Sequence, residues 1–358
     1  MMGRKALIAM SGGVDSSVAA YLMKQQGFAC IGVTMKLFAN EDVGVSREHA
    51  CCSLDDVEDA RSVARSLGIP YYVFNFSERF REDVIDRFIA AYENGRTPNP
   101  CIDCNRYLKF DQLYHRARTL GCDHVVTGHY ARIERDDQTG RYLLKKAADH
   151  EKDQSYVLYS LTQEQLAHTL FPLGGLTKPE VRAIAEAQGF INARKHDSQD
   201  ICFVQSGSYA DFIEGYTGRQ YPEGNFVDQN GSILGRHRGI IRYTIGQRKG
   251  LGLALPEPMY VCAVHPAENT VVLGRESALY TRVLTAGEVN LISLPSIDAP
   301  MRVKAKVRYR QLETWATVTQ TGADTIRVEF DCPQRAVTAG QAVVLYDGDT
   351  VIGGGTIR

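Results

Sequence analysis

Ala9-Met10-Ser11-Gly12-Gly13-Val14-Asp15-Ser16-Ser17-Val18 is the stretch that decides how this chain is read. It follows a short apolar run, Ala6-Leu7-Ile8, and leads into a helical pattern with Val18, Ala19 and Leu22 on one face. A strand therefore enters a tight Gly-Gly turn and a helix begins. Such a turn aims successive backbone N–H groups outward at the positive end of a helix dipole, which suits a phosphate or pyrophosphate. Glycine is required because a Cβ would block close approach and the unusual dihedrals. The serine hydroxyls add donors, and Asp15 is placed to help hold a magnesium ion. The spacing fits neither the Walker loop nor the dinucleotide fingerprint, and no lysine follows the second glycine. Taken alone, Gly12-Gly13 would be an ordinary turn; it is the whole stretch that favours a nucleotide.

Outward from this loop, strands alternate with helices. Ala6–Met10, Phe28–Met35, Tyr71–Phe76 and His124–Thr127 read as strands. Between them lie helices, one capped by Ser53 with Leu54, Val57, Ala60, Ala64 and Leu67 inward, and one opened by Ser77. The alternation predicts an α/β, doubly wound parallel sheet whose ligands sit at the carboxyl ends of the strands, where Ser11, Met35 and Gly128 fall. Beyond Arg132 a hairpin is expected from Arg132–Glu134 and Tyr142–Lys145, then a helix opened by the capping box Thr177-Lys-Pro-Glu180. From about Ser206 the chain is Gly-rich and short-stranded, and from about Thr281 only strand signals remain. We expect residues 1–205 to form the nucleotide domain, 206–280 a small mixed central domain and 281–358 an antiparallel β-barrel.

With 358 residues, 44% hydrophobic and 23% charged, the chain has ample core for two or three domains. A formal net charge of −1 means that nucleic acid would have to be met by a local basic face. No apolar run approaches the roughly 20 residues of a membrane span, and the N-terminus enters the first strand without a signal peptide. A cytoplasmic location is expected, with no membrane partner and with the nine cysteines mostly as thiols.

Three cysteines stand apart. Cys101 and Cys104 lie in Thr97-Pro-Asn-Pro-Cys-Ile-Asp-Cys104, where two prolines hold the backbone extended before a helix. A thiol at a helix N-terminus is favoured as thiolate, as nucleophile or ligand. Cys202 follows far along, in Asp197-Ser-Gln-Asp-Ile-Cys202-Phe203. A lone CxxC also fits a zinc half-site or core thiols, but no second CxxC or paired histidines complete a zinc site. Cys30, Cys122, Cys262 and Cys332 read as unremarkable, and Cys51-Cys52 fits either a structural or a functional role, the structural one being preferred.

The Ser11–Ser16 loop resembles the SGGxDS motif of the ATP pyrophosphatases, the PP-loop or adenine nucleotide α-hydrolase-like enzymes that cleave ATP between the α and β phosphates to adenylate a substrate. Adenylation makes a carbonyl oxygen a leaving group, a persulfide sulfur then attacks, and a second thiol releases the sulfur. Over essentially its whole length the chain resembles the bacterial tRNA-specific 2-thiouridylases (tRNA-uridine 2-sulfurtransferases). Ser11-Gly-Gly-Val-Asp-Ser16, Gly95-Arg-Thr-Pro-Asn-Pro100, Thr127-Gly-His129, Lys152-Asp-Gln154, Asp200-Ile-Cys202-Phe203, Gly246-Gln-Arg-Lys-Gly250 and Arg308-Tyr-Arg-Gln311 occur in the family's order.

The resemblance implies ATP-dependent replacement of oxygen 2 of the wobble uridine (position 34) of tRNA by sulfur, with release of AMP and pyrophosphate. It makes Cys202 the persulfide carrier and Cys104 its partner, joined transiently by a disulfide. It assigns ATP to Ala9, Met10, Ser11, Gly12, Gly13, Val14, Asp15, Ser16, Met35 and Gly128, with Mg2+ alongside. It assigns Asn99, Pro100 and Cys101 to the target base, and His129, Lys152, Asp153, Gln154, Tyr309, Arg310 and Gln341 to tRNA. A sulfur donor, either a cysteine desulfurase or a relay protein, would feed Cys202. Some members carry aspartate, assigned as acid/base, where this chain has Cys101. Alternatively, Cys101, Cys104 and Cys202 would hold an iron–sulfur cluster with one open iron that binds hydrosulfide.

Two basic stretches complete the pattern. Arg236, Arg238, Arg242, Arg248 and Lys249 flank Tyr243, and Arg302, Lys304, Lys306, Arg308 and Arg310 alternate, which on a strand places five cations on one face about 6.6 Å apart. A solvated face is the plain reading; beside a tRNA it becomes a phosphate-tracking stripe. Two rivals remain: another PP-loop synthetase adenylating a small substrate, which gives Cys104 and Cys202 no role, and a non-enzymatic RNA-binding module, which leaves the Ser11–Ser16 loop unexplained.

Overall fold

The computed structural model describes residues 4–38, 54–196, 201–204 and 208–358. The expected cap at Ser53, Cys51-Cys52, Asp197–Asp200 and the boundary between residues 205 and 206 lie outside the described residues.

Alternation along the first strand builds the N-terminal layer. In Lys5–Ala9, Ala6 and Ile8 face one apolar cluster and Leu7 the other, as a period of two requires of a strand buried on both faces. This strand lies at the centre of a parallel sheet in the order Tyr71–Asn75, Ala29–Lys36, Lys5–Ala9, His124–Val126, Thr169–Leu170. The helices Val14–Gln25 and Leu54–Ser66 bury Val18, Ala19, Ala60 and Ala64 in one cluster. The opposite cluster takes Phe80, Phe88, Cys104, Leu108 and Phe203. Helices on both faces make the sheet doubly wound, as expected.

A four-stranded mixed sheet forms the middle of the chain, in the order Tyr260–His265, Thr270–Gly274, Gly224–Val227, Ile233–His237, closed over Phe226, Tyr243, Val261, Val271 and Leu273. The last part is a closed antiparallel barrel. Its strands run Tyr280–Leu291, Thr325–Arg335, Thr314–Gly322, Met301–Lys306, Ala342–Asp347 and Thr350–Ile357, and the first pairs again with the last. Closure removes the exposed edges.

The expected hairpin forms from Arg132–Arg135 and Tyr142–Lys145. It leaves the parallel sheet and extends the barrel's sheet, with Leu144 opposite Val351 and Lys145 opposite Thr350. Leu144, Tyr156, Tyr346 and Val351 share one buried cluster across this joint, so the outer parts of the chain are packed together as well as tethered.

Candidate active site

The Gly-Gly turn is held by its own hydroxyls and by a neighbouring helix. Ser16 and Ser17 both donate to the Gly13 carbonyl at 3.0 Å, and the Ser11 amide donates to the Ser16 hydroxyl at 3.2 Å. Gly12 has φ +75°, and a Cβ there would lie 2.4 Å from the Asp56 carbonyl, so no side chain fits. A Cβ on Gly128 would lie 2.8 Å from the Asp15 carbonyl carbon and the Ser16 amide nitrogen. The strand end His124–Val126 thus delivers Gly128 directly onto the loop. Met10, Val14 and Met35 are buried beneath, where the Thr34 hydroxyl donates to the Met10 carbonyl at 2.6 Å.

Three residues that sequence reasoning missed complete this site. Asp15 accepts from the Tyr130 hydroxyl at 2.8 Å and from Lys178 Nζ, 2.7 and 2.8 Å from its two oxygens. The amide of buried Asn192 donates to the Gly12 carbonyl and the Ser17 hydroxyl, both at 2.9 Å. Lys178 carried a readable signal. A lysine in the first turn of a helix sits at the wrong end of the dipole, so something other than helix stability places it there.

The CxxC segment is fixed from both sides. Asn99 caps the short helix Pro100–Asp103, its side chain accepting from the Cys101 amide at 3.2 Å. Gln341, from the barrel, donates to the Thr97 and Pro98 carbonyls at 2.8 and 3.1 Å, and the Thr97 amide donates to the Ala339 carbonyl at 2.9 Å. Pro100 is buried and Cys101 exposed. Cys104 opens a π-helical stretch, Cys104–Gln112, a backbone irregularity often found at functional sites. The expected stabilised thiolate is corrected here. Cys104 is buried, and burial pushes its thiol up against a smaller opposing pull from Lys109. Loss of hydration outweighs the field of a short helix.

Between the two cysteines, Asp103 is raised to about 6 because burial outweighs the attraction of Arg87 and Arg106. Its 4.0 Å pair with Arg87 is too long to offset desolvation. Asp103 lines a cavity of about 450 Å3 shared with Arg87, Arg106, Tyr159 and Glu288, so barrel residues help to wall it. Cys202 is partly buried against the same apolar cluster that contains Cys104 and Phe203. Among the described residues no group of three or more metal-ligating side chains is close enough to hold a metal ion, so Cys101, Cys104 and Cys202 do not form a ready cluster site in this conformation.

The residues expected at tRNA fall into two groups. His129 is buried between Phe110 and Phe171, paired with Thr127 at 2.7 Å, and burial holds it well below the usual imidazole range. Asp153 accepts from the Ala147 amide at 3.0 Å and from the Ser155 hydroxyl at 2.8 Å, and Gln154 accepts from the Tyr130 amide at 2.9 Å. These residues shape the backbone between loop and barrel. Lys152 is half-buried and Arg310 exposed, while Tyr309 donates to the Asp153 carbonyl at 3.1 Å.

The five-cation stripe is realised only in part. Arg302, Lys304 and Lys306 do share the outer face of Met301–Lys306, but the strand ends there. Arg302 is paired with Asp331 at 2.7 Å, and half-buried Arg308 donates inward to the Ile245 and Ala336 carbonyls and the Thr338 hydroxyl. Arg242 is likewise taken up by Asp211 and Glu214, while Arg238, Arg248 and Lys249 are exposed. No helix among the described residues is long and apolar enough to cross a membrane.

With this geometry in hand, comparison with known proteins is informative. Residues 4–206 match a family model described as tRNA methyl transferase HUP domain, residues 210–275 the tRNA methyl transferase PRC-barrel domain, and residues 281–357 the aminomethyltransferase beta-barrel domain. A protein of Clostridioides difficile (strain 630) named tRNA-specific 2-thiouridylase MnmA is 55% identical over 357 residues, covering 100% of this chain and 99% of its own length. One of the same name from Acetivibrio thermocellus is 52% identical, covering 100% of both. Among solved structures, a 4-thiouridine synthetase–RNA complex with bound ATP aligns over 60% of this chain and 50% of its own, at 19% identity and a TM-score of 0.36.

Proposed function

This chain belongs to the tRNA-specific 2-thiouridylase family, and on that premise we propose that it replaces oxygen 2 of the wobble uridine of tRNA by sulfur, using ATP. The observation that carries the reading is that Cys104 and Cys202, remote in sequence, share one apolar cluster, which also takes in Met35 and Ala9 from the two strands beside the Ser11–Ser16 loop. The family model's description speaks of a methyl transferase, but a loop shaped for a nucleotide's phosphates has no part in methyl transfer from a sulfonium donor.

In this reading the loop amides and the N-terminus of Val14–Gln25 bind the phosphates of ATP, and Gly128 leaves room for that approach. Oxygen 2 of the uridine attacks the α-phosphate and pyrophosphate departs. The base is flipped towards Asn99, Pro100 and Cys101 at the start of the CxxC helix, where Cys101 is exposed. The outer sulfur of a persulfide on Cys202 attacks carbon 2, and AMP leaves with the former oxygen. Cys104 then attacks the Cys202 sulfur, the carbon-bound sulfur leaves as the thiocarbonyl, and a Cys104–Cys202 disulfide remains for an external reductant. Because burial disfavours the Cys104 thiolate, this last step waits for a neighbouring base. Cys101, exposed three residues away, would carry a proton for the adenylation step. Magnesium accompanying the nucleotide would be held by Asp15, the carboxylate of the loop. Exposed Arg310 and the half-buried Lys152 would meet the tRNA backbone.

The test is thiolation in vitro of unmodified tRNA with ATP, a sulfur donor and a reductant. Wild type should form 2-thiouridine, whereas Cys104→Ser and Cys202→Ser should each fail while still binding ATP. Undiminished product from the double Cys→Ser variant would sink the reading and favour a PP-loop synthetase of another kind.

A further inference from the structure

We propose that Trp315, the chain's single tryptophan, is a stacking platform on the barrel for an unpaired base of the tRNA near its wobble position, with Lys304 and Arg310 meeting the phosphates beside it. The inference rests on the tRNA reading above and adds to it a contact outside the motifs that carry the family resemblance.

Alternation along Thr314–Gly322 sends Ala316 and Val318 into the barrel core and Trp315 outward. Trp315 is 51% exposed, an unusual place for the largest apolar side chain. Lys304 lies opposite it in register, and the Lys304 ammonium and Arg302 guanidinium are each 5.5 Å from the ring centre. Arg302 is locked in place by two bonds to Asp331 at 2.7 Å and one to Thr317 at 3.2 Å. The two cations flank the indole and restrict it, so little freedom remains to be lost on stacking.

The charge around the ring favours an anion. Asp331 is matched by Arg302, Glu329 by Arg327 at 2.8 Å and Glu313 by Lys146 at 2.6 Å. Among the described residues Lys304 and exposed Arg310 have no carboxylate partner, so the face carries surplus positive charge. An unpaired nucleotide supplies both things this surface lacks, a flat π-face for the indole and a phosphate for the cations. An acidic peptide or a duplex would bring only the anion.

Placement agrees. The link between Met301–Lys306 and Thr314–Gly322 carries Tyr309, whose phenol feels the charge of Cys101, and also Arg310 and exposed Leu312. From Tyr309 to Trp315 is six residues, at most about 22 Å of chain, so nucleotides neighbouring a base presented at Cys101 come within reach of the ring.

Because the chain has one tryptophan, its fluorescence reports this site alone. An anticodon stem–loop RNA containing the wobble uridine should quench most of the emission, whereas a fully paired duplex of the same length should leave it nearly unchanged. Trp315→Ala should bind the stem–loop about fivefold or more weakly, and Trp315→Tyr, which keeps a stacking face, should recover most of that loss. Both variants should melt close to wild type, since the ring lies on the surface. Lys304→Gln should lessen the salt dependence of binding. Unchanged emission at saturating stem–loop, equal quenching by the duplex, or wild-type affinity of Trp315→Ala would each overturn the inference while leaving tRNA binding standing. Failure of wild type to bind the stem–loop in a gel-shift assay would instead remove the tRNA reading, and this contact with it.

Discussion

Gln341 in the barrel donates to the carbonyl of Thr97 at 2.8 Å, tying the segment that precedes Cys101 to a part of the chain some 240 residues later. The Pro98 carbonyl takes a second bond from the same amide, and a Cβ on neighbouring Gly340 would lie 3.0 Å from the Thr97 carbonyl. The barrel therefore sets the position of the CxxC helix. Replacing Gln341 by Ala removes two bonds worth about 1–2 kcal/mol together. Thiolation should fall several-fold while ATP affinity, measured calorimetrically, stays at the wild-type value. Equal activity of the variant would show that the barrel does not position the cysteines.

Gly128→Ala should weaken ATP binding at least about tenfold, because its Cβ would push against the Asp15 and Ser16 backbone. Gly175→Ala, where nothing lies within 4 Å of the added Cβ, should bind ATP normally. Isothermal titration of both variants decides whether close approach at residue 128 matters for the nucleotide.

Asp103 gives a pH signature. Its folded value of about 6 lies above the ordinary 3.8, so the folded state holds the proton more tightly than the unfolded chain. Its contribution to stability is therefore fully present below about pH 4 and is lost as pH rises through about 6. Asp103→Asn, which cannot ionise, should match wild type near pH 4 and exceed it by roughly 2–3 kcal/mol at pH 7–8. Urea unfolding across that range measures the difference, and a constant offset at all pH values would refute the assignment.

Arg308 and Arg310 should part company, although they are alternate residues of one basic run. Arg308→Ala removes one donor shared by three acceptors at the joint between the central domain and the barrel, and should cost about 2–4 kcal/mol in thermal unfolding. Exposed Arg310→Glu should leave the melting temperature unchanged, weaken tRNA binding and lessen its salt dependence. tRNA affinity insensitive to Arg310→Glu at every salt concentration would remove Arg310 from the interface.

The same pair of arginines shows how far local pattern reaches. Alternation puts Arg302, Lys304 and Lys306 on one face, and Val303, Ala305 and Val307 between and beyond them are buried, but period two alone does not say where a strand stops. Past Lys306 the chain turns, and Arg308 finds Ile245 and Thr338, which no spacing along the sequence connects to it. Likewise the Thr177–Glu180 capping box was legible, while the role of the lysine inside it depends on Asp15, which lies far away in sequence.

The chain's local chemistry determined the strand–Gly-Gly–helix loop, the alternation that makes the first sheet parallel and doubly wound, the β-rich C-terminal part and the candidacy of three cysteines. These follow from dihedral preference and hydrophobic period, which act over a few residues. Tertiary structure alone decided that Lys178 and Tyr130 occupy Asp15, that the Arg132–Lys145 hairpin joins the barrel's sheet, and that Cys104 and Cys202 share a cluster. It also decided that burial, more than the helix dipole, sets the Cys104 proton. Each of these depends on which distant surface excludes water from a group, and desolvation is a property of the packed molecule that no stretch of sequence carries by itself.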